Sequence, residues 1–247
     1  MYALPSLVYT LLLLNVSLTE GLFSRFRRSS NTPDRSARRS CAQAFNRCVT
    51  THLGRYIPHY SDMTFIKQAL ANRFLLEEIA SDVDRVADCM EGVGVQALCS
   101  FVSELSDPVR FVADFANSPG TIDKLLAVSA SPCLADNGLL RNFEREFEEC
   151  VLTFEVAVKG QEADLCGSFS EMLQCAEDAA NQTCGAAVKE LISSGKQFFL
   201  SPSRGPEFLA WMTSSFLLDF NACEPQHIMS RRFIAERPPF LRNWSPK

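Results

Sequence analysis

The sequence lacks the short motifs that mark the common enzyme active sites. It contains no Gly-x-Ser-x-Gly, no His-Glu-x-x-His, no Gly-x-x-x-x-Gly-Lys and no Gly-x-Gly-x-x-Gly. Histidine is scarce, with only His52, His59 and His227, and the first two lie in an irregular stretch that does not suit a helical pair of metal ligands. We therefore predict that the protein is not an enzyme and uses no cofactor.

Closely spaced metal ligands are also missing. Zinc sites usually pair cysteines about two to four residues apart, and the closest pair here is Cys41 and Cys48. Asp82, Asp84 and Asp88 are spaced like part of a calcium loop, but the glycine and the glutamate that such a loop needs are absent. We predict no metal site and interpret these aspartates as a solvated helix face, with weak multivalent calcium binding as the alternative.

Long apolar runs are limited to one, at the N-terminus. The stretch from Leu7 to Leu14 is too short to span a bilayer, and small or polar residues follow it up to Gly21. The segment before it has no Lys or Arg, so only the amino terminus supplies positive charge there. We predict a signal peptide at residues 1–21 and no transmembrane anchor after it.

Charge divides the rest of the chain into three parts. Residues 22–40 carry six Arg against one Asp, residues 226–247 carry five Lys or Arg against one Glu, and residues 41–225 carry 13 basic against 26 acidic residues. Because phosphates need a cationic surface, the acidic middle predicts no nucleic-acid binding. The basic ends could lie on this middle, contact anionic glycans or membrane surfaces, or form disordered tails.

The arginines ahead of the first cysteine form two processing motifs. Arginines at positions 25, 27 and 28 are those that furin-like convertases favour, and a second cluster runs from Arg35 to Arg39. We predict a propeptide at residues 22–39, with cleavage after Arg28 and Arg39, since the Ser, Asn, Pro and Asp between them favour an extended chain. The alternative is an arm that is not cleaved.

Cysteine is abundant and even in number, which predicts disulfide bonds in a secreted protein. The ten cysteines are Cys41, Cys48, Cys89, Cys99, Cys133, Cys150, Cys166, Cys175, Cys184 and Cys223. They define a Cys-rich domain at 40–224, followed by a basic, Pro-containing tail at 225–247. Asn181 and Asn243 begin glycosylation sequons, and Pro246 makes the second the poorer acceptor.

Apolar residues recur at helical spacing through the Cys-rich middle. Typical runs are Leu140, Phe143, Phe147, Val151, Phe154 and Val158, and Ile66, Leu70, Phe74, Ile79, Val83, Val86 and Met90. Ser61 and Asp62 are candidate caps of the second run, Pro108 suits a first helical turn and Thr121 a cap. A last helix is expected from Phe208 to Phe220. The fold class predicted is all-α: a disulfide-stapled helical bundle.

The cysteine spacing restricts the disulfide pairing without fixing it. In one helix, Cys41 and Cys48 would lie about 10.5 Å apart, and bridged cysteines need Cα atoms within about 7 Å. Each must therefore bond to another helix. The spacing of Cys166, Cys175 and Cys184 predicts a helix, a turn near Asn181 and a second helix.

The chain also contains a faint internal repeat. Cys89 and Cys99 are spaced much like Cys175 and Cys184, and each pair precedes a helical stretch with a closing cysteine, Cys133 or Cys223. Two related helical halves, joined between Cys133 and Cys150, would explain this. Shared helical periodicity alone is the other explanation.

Phenylalanine dominates the aromatic residues, with 19 Phe against four Tyr and two Trp. Most of these rings are expected to fill the core between helices. A Phe-lined cavity for a lipid or another apolar ligand is the alternative.

The C-terminal half resembles two families of secreted animal proteins. The run from Cys166 through Cys175 to Cys184, followed by a helix and Cys223, is similar to the end of the insect hemolymph glycoproteins. The series Cys133, Cys150, Cys166 and Cys175, with a closing helix and a basic tail, resembles stanniocalcin, a secreted glycoprotein hormone. The second resemblance implies a homodimer linked through Cys223, and neither implies an enzyme activity.

We therefore predict a secreted, non-enzymatic protein that acts by binding in extracellular fluid or matrix. Its partner would be an extracellular protein, a receptor or an apolar ligand. The alternative is a stanniocalcin-like processed hormone, in the form of a disulfide-linked homodimer.

Overall fold

The computed structural model describes residues 35–59, 62–94, 99–160, 164–216 and 218–229. In these residues the chain forms eleven α-helices, two short 3-10 turns and no strand. The all-α class is therefore confirmed. The predicted signal peptide, the Arg28 processing site, Asn243 and nearly all of the basic tail lie outside the described residues.

The helices follow one another with short connections. They are α1 Arg35–Leu53, α2 Met63–Leu70, α3 Arg73–Gly94, α4 Ser100–Ala116, α5 Thr121–Val128, α6 Pro132–Ala135, α7 Asn137–Lys159, α8 Leu165–Thr183, α9 Ala186–Phe199, α10 Gly205–Phe216 and α11 Pro225–Met229. The 3-10 turns are Ile57–His59 and Phe220–Ala222. Helix α1 begins before the predicted domain start at residue 40, and α11 lies beyond the predicted end at 224.

Aspartate caps fix the start of three helices. The side chains of Asp62, Asp136 and Asp164 each accept a hydrogen bond from the backbone N–H two residues later, at 2.8, 2.6 and 3.1 Å. The prediction for Asp62 is thus confirmed. Thr121 is not a cap, since Gly120 occupies that position with a left-handed φ of 83° and Thr121 begins α5.

Three expected helix boundaries were wrong. The last helix, expected to run from Phe208 to Phe220, ends at Phe216, and Phe220 begins a 3-10 turn. The run from Ile66 to Met90 forms two helices rather than one, because the chain leaves helical geometry after Leu70 and α3 begins at Arg73. Pro108 lies inside α4 rather than in its first turn.

Three groups of buried side chains hold the helices together. An N-terminal core lies between α1, α3 and α4 and includes Phe45, Val86 and Met90. A central core joins α2–α9, and a C-terminal core around Phe220 joins α8, α10 and α11. The protein thus has an N-terminal half (35–128) and a C-terminal half (132–229) that meet at the central core.

Five disulfide bonds tie these helices, and they pair all ten cysteines. The bonds are Cys41–Cys99, Cys48–Cys89, Cys133–Cys184, Cys150–Cys175 and Cys166–Cys223. Cys41 and Cys48 bond to other helices, as predicted. The expected turn near Asn181 was wrong, because α8 runs unbroken to Thr183 and the chain turns at Cys184 and Gly185, whose φ is 86°.

The disulfide bonds are nested in the same way in each half. In the N-terminal half an outer bond, Cys41–Cys99, encloses an inner bond, Cys48–Cys89. In the C-terminal half Cys133–Cys184 encloses Cys150–Cys175. This nesting is what two related halves would have. The proposed closing cysteines are not equivalent, however, since Cys133 belongs to a nested pair and Cys223 bonds to Cys166.

Candidate binding surfaces

A shallow cleft of about 210 Å³ lies along the outer face of α3. We call it the Phe74 cleft. Its lining consists of Phe74, Glu77, Glu78, Ser81, Asp82 and Arg85 from α3, with Arg55 facing them from the segment after α1. The α3 residues recur every three or four positions, so they share one face of the helix. Two cations, three anions and one aromatic ring therefore surround the cleft.

The buried carboxylate of Asp82 forms the floor of this cleft. Its side chain is only 4% exposed, yet it accepts hydrogen bonds from the hydroxyl of Tyr56 at 3.0 Å, from Arg85 Nη1 at 3.1 Å and from Arg55 Nη2. Three donors offset the desolvation of a single charge. Asp82 thus fixes Arg55, Tyr56 and Arg85 relative to α3.

Arg55 is held from three sides. Besides Asp82 it contacts Glu78 through Nη1 at 2.8 Å, and its guanidinium lies 4.8 Å from the centre of the Tyr56 ring. The hydrogen bond to Asp82 raises the pKa of Arg55 above its ordinary value, so its charge is permanent. Burial, followed by the hydrogen bond to Asp82, raises the pKa of Tyr56, so this hydroxyl stays protonated at physiological pH.

The ring of Phe74 projects from this charged surface into solvent. It is 74% exposed, and its neighbours on the same face are polar. The prediction that Phe74 belongs to the core run was wrong: Leu76 is buried in its place, while Ile79 is buried as predicted. Its polar neighbours Glu77, Glu78 and Ser81 are the sequence signal that would have placed it outside. Phe and Arg are both more frequent at protein–protein interfaces than on the rest of the protein surface.

A second aromatic surface lies where the two halves meet. Rings of α4, α9 and α10 follow one another from the interior outward, with centroids 5.1–6.4 Å apart: Phe115, Phe198, Phe199, Phe111, Phe208, Trp211 and Phe216. Phe115 is 2% exposed and Phe216 is 49% exposed. We call this series the aromatic row. Its rings pack mainly against one another, as expected of core phenylalanines.

The aspartates of α3 are paired with arginines, although Asp84 and Asp88 are also exposed to solvent. Arg110 of α4 donates hydrogen bonds to Asp84, Asp88 and Glu91 at 2.5–2.8 Å. Burial alone would lower the pKa of Arg110, but its hydrogen bonds to Glu91 and Asp88 outweigh this effect and raise it. Among the described residues no group of three His, Cys, Asp or Glu side chains is arranged to hold a metal ion.

Asn181, Arg39 and His227 are not among the residues that line the Phe74 cleft. Asn181 is exposed in the last turn of α8, and the hydroxyl of Thr183 in its sequon donates to the Ala179 carbonyl at 2.6 Å. Glycosylation there stays a prediction. The backbone of Arg39 is helical and belongs to the second turn of α1. His227 contacts Glu224 at 3.4 Å near the end of the described chain.

Comparisons of the chain with protein-family models, with curated proteins and with solved structures find no match. Within the described ranges, no helix is long and apolar enough to cross a membrane. The described residues form a disulfide-rich helical protein with an exposed cleft that is lined by charged residues and one aromatic ring.

Proposed function

We propose that the protein is secreted and acts by binding another extracellular protein through the Phe74 cleft. The observation that carries this proposal is the exposure of Phe74 between Arg55 and Arg85 on a helix held by disulfide bonds. The partner would present an apolar side chain or ring to Phe74, and carboxylates to the arginines. Secretion is supported by the ten paired cysteines, because such bonds persist in oxidising compartments.

The rigidity of the cleft favours binding. Association costs free energy whenever side chains or loops must be ordered, and a preformed site reduces this cost. Helix α3 is bonded to α1 through Cys48–Cys89, and Arg55 is fixed by Asp82 and Glu78. Arg85 is 61% exposed and uses only Nη1 in its bond to Asp82, which leaves other N–H donors for a partner.

Binding would be tested with the secreted protein as bait in the extracellular fluid of its source. Proteins captured by the wild type would be quantified against those captured by the Phe74→Glu variant. Leu152→Glu is the matched control, since Leu152 is an exposed apolar residue (57%) on α7 of the other half. We expect a specific protein that Phe74→Glu loses by tenfold or more and Leu152→Glu retains. If only the Leu152→Glu variant fails to capture the protein, the binding site lies on α7 instead. A lipid that co-purifies with the wild type would favour the apolar-ligand alternative.

The stanniocalcin-like hormone is the second candidate. It rests on the resemblance in cysteine series, and the implied covalent dimer would use Cys223. In the structure Cys223 is bonded to Cys166 within the chain, with Cα atoms 5.4 Å apart. An intact mass of the secreted protein, with and without reduction, separates the two. A monomer with no free thiol agrees with the binding-protein proposal, whereas a doubled mass that halves on reduction favours the hormone.

A further inference from the structure

The second arginine motif lies within a helix of the folded protein. Backbone from Arg35 to Leu53 is continuously helical, so the peptide bonds after Arg38 and Arg39 are part of α1. Proteases bind their substrates in an extended conformation. Cleavage therefore concentrates at exposed loops and chain ends, where the backbone is not held in a helix. A convertase would have to unwind the first turns of α1 to reach either bond.

Unwinding α1 at this point is opposed by a disulfide bond. Cys41 is the second residue after the Arg39–Ser40 bond, its exposure is 1%, and it is bonded to Cys99 at the start of α4. The residues on both sides of a scissile bond must enter the protease cleft, which would pull Cys41 from the N-terminal core. Phe45, one turn further along α1, is 2% exposed and belongs to the same core.

The first arginine motif precedes α1 in the sequence. Residues 29–34 separate Arg28 from the first residue of α1, so cleavage after Arg28 leaves the whole helix intact. The sequence itself also favours this bond. Arg25 stands at the fourth position before it and Arg27 at the second, whereas the bond after Arg39 has Ser36 at the fourth position and the bond after Arg38 has Ala37 at the second.

We infer that the folded protein is processed after Arg28 and not after Arg38 or Arg39. The mature chain then begins at Ser29, and the arginines at 35, 38 and 39 stay in the protein as the beginning of α1. This inference rests on the proposed secretion, and it narrows the predicted propeptide from residues 22–39 to residues 22–28.

The test is the N-terminal sequence and intact mass of the full chain secreted from cells that contain a furin-like convertase. We expect Ser29 at the N-terminus, a heavier product from Arg28→Ala, and no change of the N-terminus in the matched variant Arg39→Ala. A wild-type chain that begins at Arg39 or Ser40, or one that keeps the residues before Arg28, would overturn the inference. Failure of the chain to reach the medium would count against the proposed function instead.

A second measurement isolates the role of the fold. The purified protein would be treated with convertase either folded or after reduction and alkylation. We expect cleavage after Arg38 or Arg39 to rise at least tenfold on reduction, since the reduced chain can extend. Equal cleavage in both states would show that α1 and the Cys41–Cys99 bond give no protection.

Discussion

The N-terminal half carries a network of arginine–carboxylate pairs at its surface, whereas the C-terminal core contains a cluster of aromatic rings in contact. On α3, carboxylates at 78, 82, 84, 88 and 91 contact Arg55, Arg85 or Arg110. In the C-terminal half, Phe154, Phe169 and Phe220 contact one another with centroids 5.3–6.5 Å apart. Both halves nevertheless share the nested disulfide pattern.

The two halves therefore share a disulfide pattern but differ in the side-chain contacts between their helices. Ion pairs near the surface contribute little individually and weaken with salt. Buried aromatic rings contribute through apolar area, which salt affects far less. The two halves should therefore respond differently to mutation, salt and pH, and four experiments test this.

The largest effect is expected in the C-terminal core. Phe220 is fully buried, so Phe220→Ala should lower the free energy of unfolding by about 3–5 kcal/mol. Its matched control is Phe74→Ala, a residue 74% exposed, which should change stability by less than about 0.5 kcal/mol. Denaturant unfolding followed by circular dichroism measures both. Similar losses would mean that the burial of Phe220 does not stabilise this half.

A nearly buried ion pair of the C-terminal half should respond to mutation differently from the exposed pairs on α3. Lys196 of α9 contacts Glu177 of α8 at 3.3 Å, with side chains 11% and 8% exposed. Glu177→Leu alone should cost about 3 kcal/mol because it leaves a buried ammonium without its partner. Adding Lys196→Met should restore most of this loss.

The exposed pair Lys159–Glu155 provides the control for that cycle. It lies at 3.5 Å with both side chains more than half exposed, so Glu155→Leu should cost less than about 1 kcal/mol. If Glu177→Leu cost no more than Glu155→Leu, burial would not distinguish the two pairs.

Removing Arg110 should reveal the dependence of the N-terminal half on charge. Arg110→Ala leaves Asp84, Asp88 and Glu91 without their shared cation, and we expect a loss of about 1–2 kcal/mol at low salt. Because salt screens the repulsion between the remaining carboxylates, added salt should reduce this loss. Arg85→Ala, which removes one bond to Asp82, is the smaller control. A loss that does not depend on salt would contradict an electrostatic cause.

Sequence periodicity predicted where the helices lie, but it did not predict which face of each helix packs against its neighbours. The stripe on α7 was predicted correctly in outline, since Leu140 and Phe143 are buried and Phe147 packs against the central core. Phe74 was misplaced because the break after Leu70 rotates α3 relative to α2, so one period cannot be extended across both.

The disulfide pairing could be restricted but not solved from spacing. Distances within a helix exclude a bond between Cys41 and Cys48, but the partner of each depends on how α1 packs against α3 and α4. The Phe74 cleft escaped prediction for the same reason. Its α3 residues share a helix face visible in the sequence, whereas Arg55 reaches them only through the tertiary fold.

The smallest effect is expected from Tyr56 and appears only at high pH. The pKa of Tyr56 is raised in the folded protein, so above the ordinary tyrosine pKa of about 10 the unfolded chain releases a proton that the folded chain retains. Stability that is complete below that pH should then fall as the pH rises, until the folded pKa is passed. Tyr56→Phe should lose the hydrogen bond to Asp82 at neutral pH but remove this alkaline slope. Equal slopes for both proteins would show that Tyr56 ionises as easily in the folded as in the unfolded chain, and the charged network around Asp82 would then be looser than its contacts indicate.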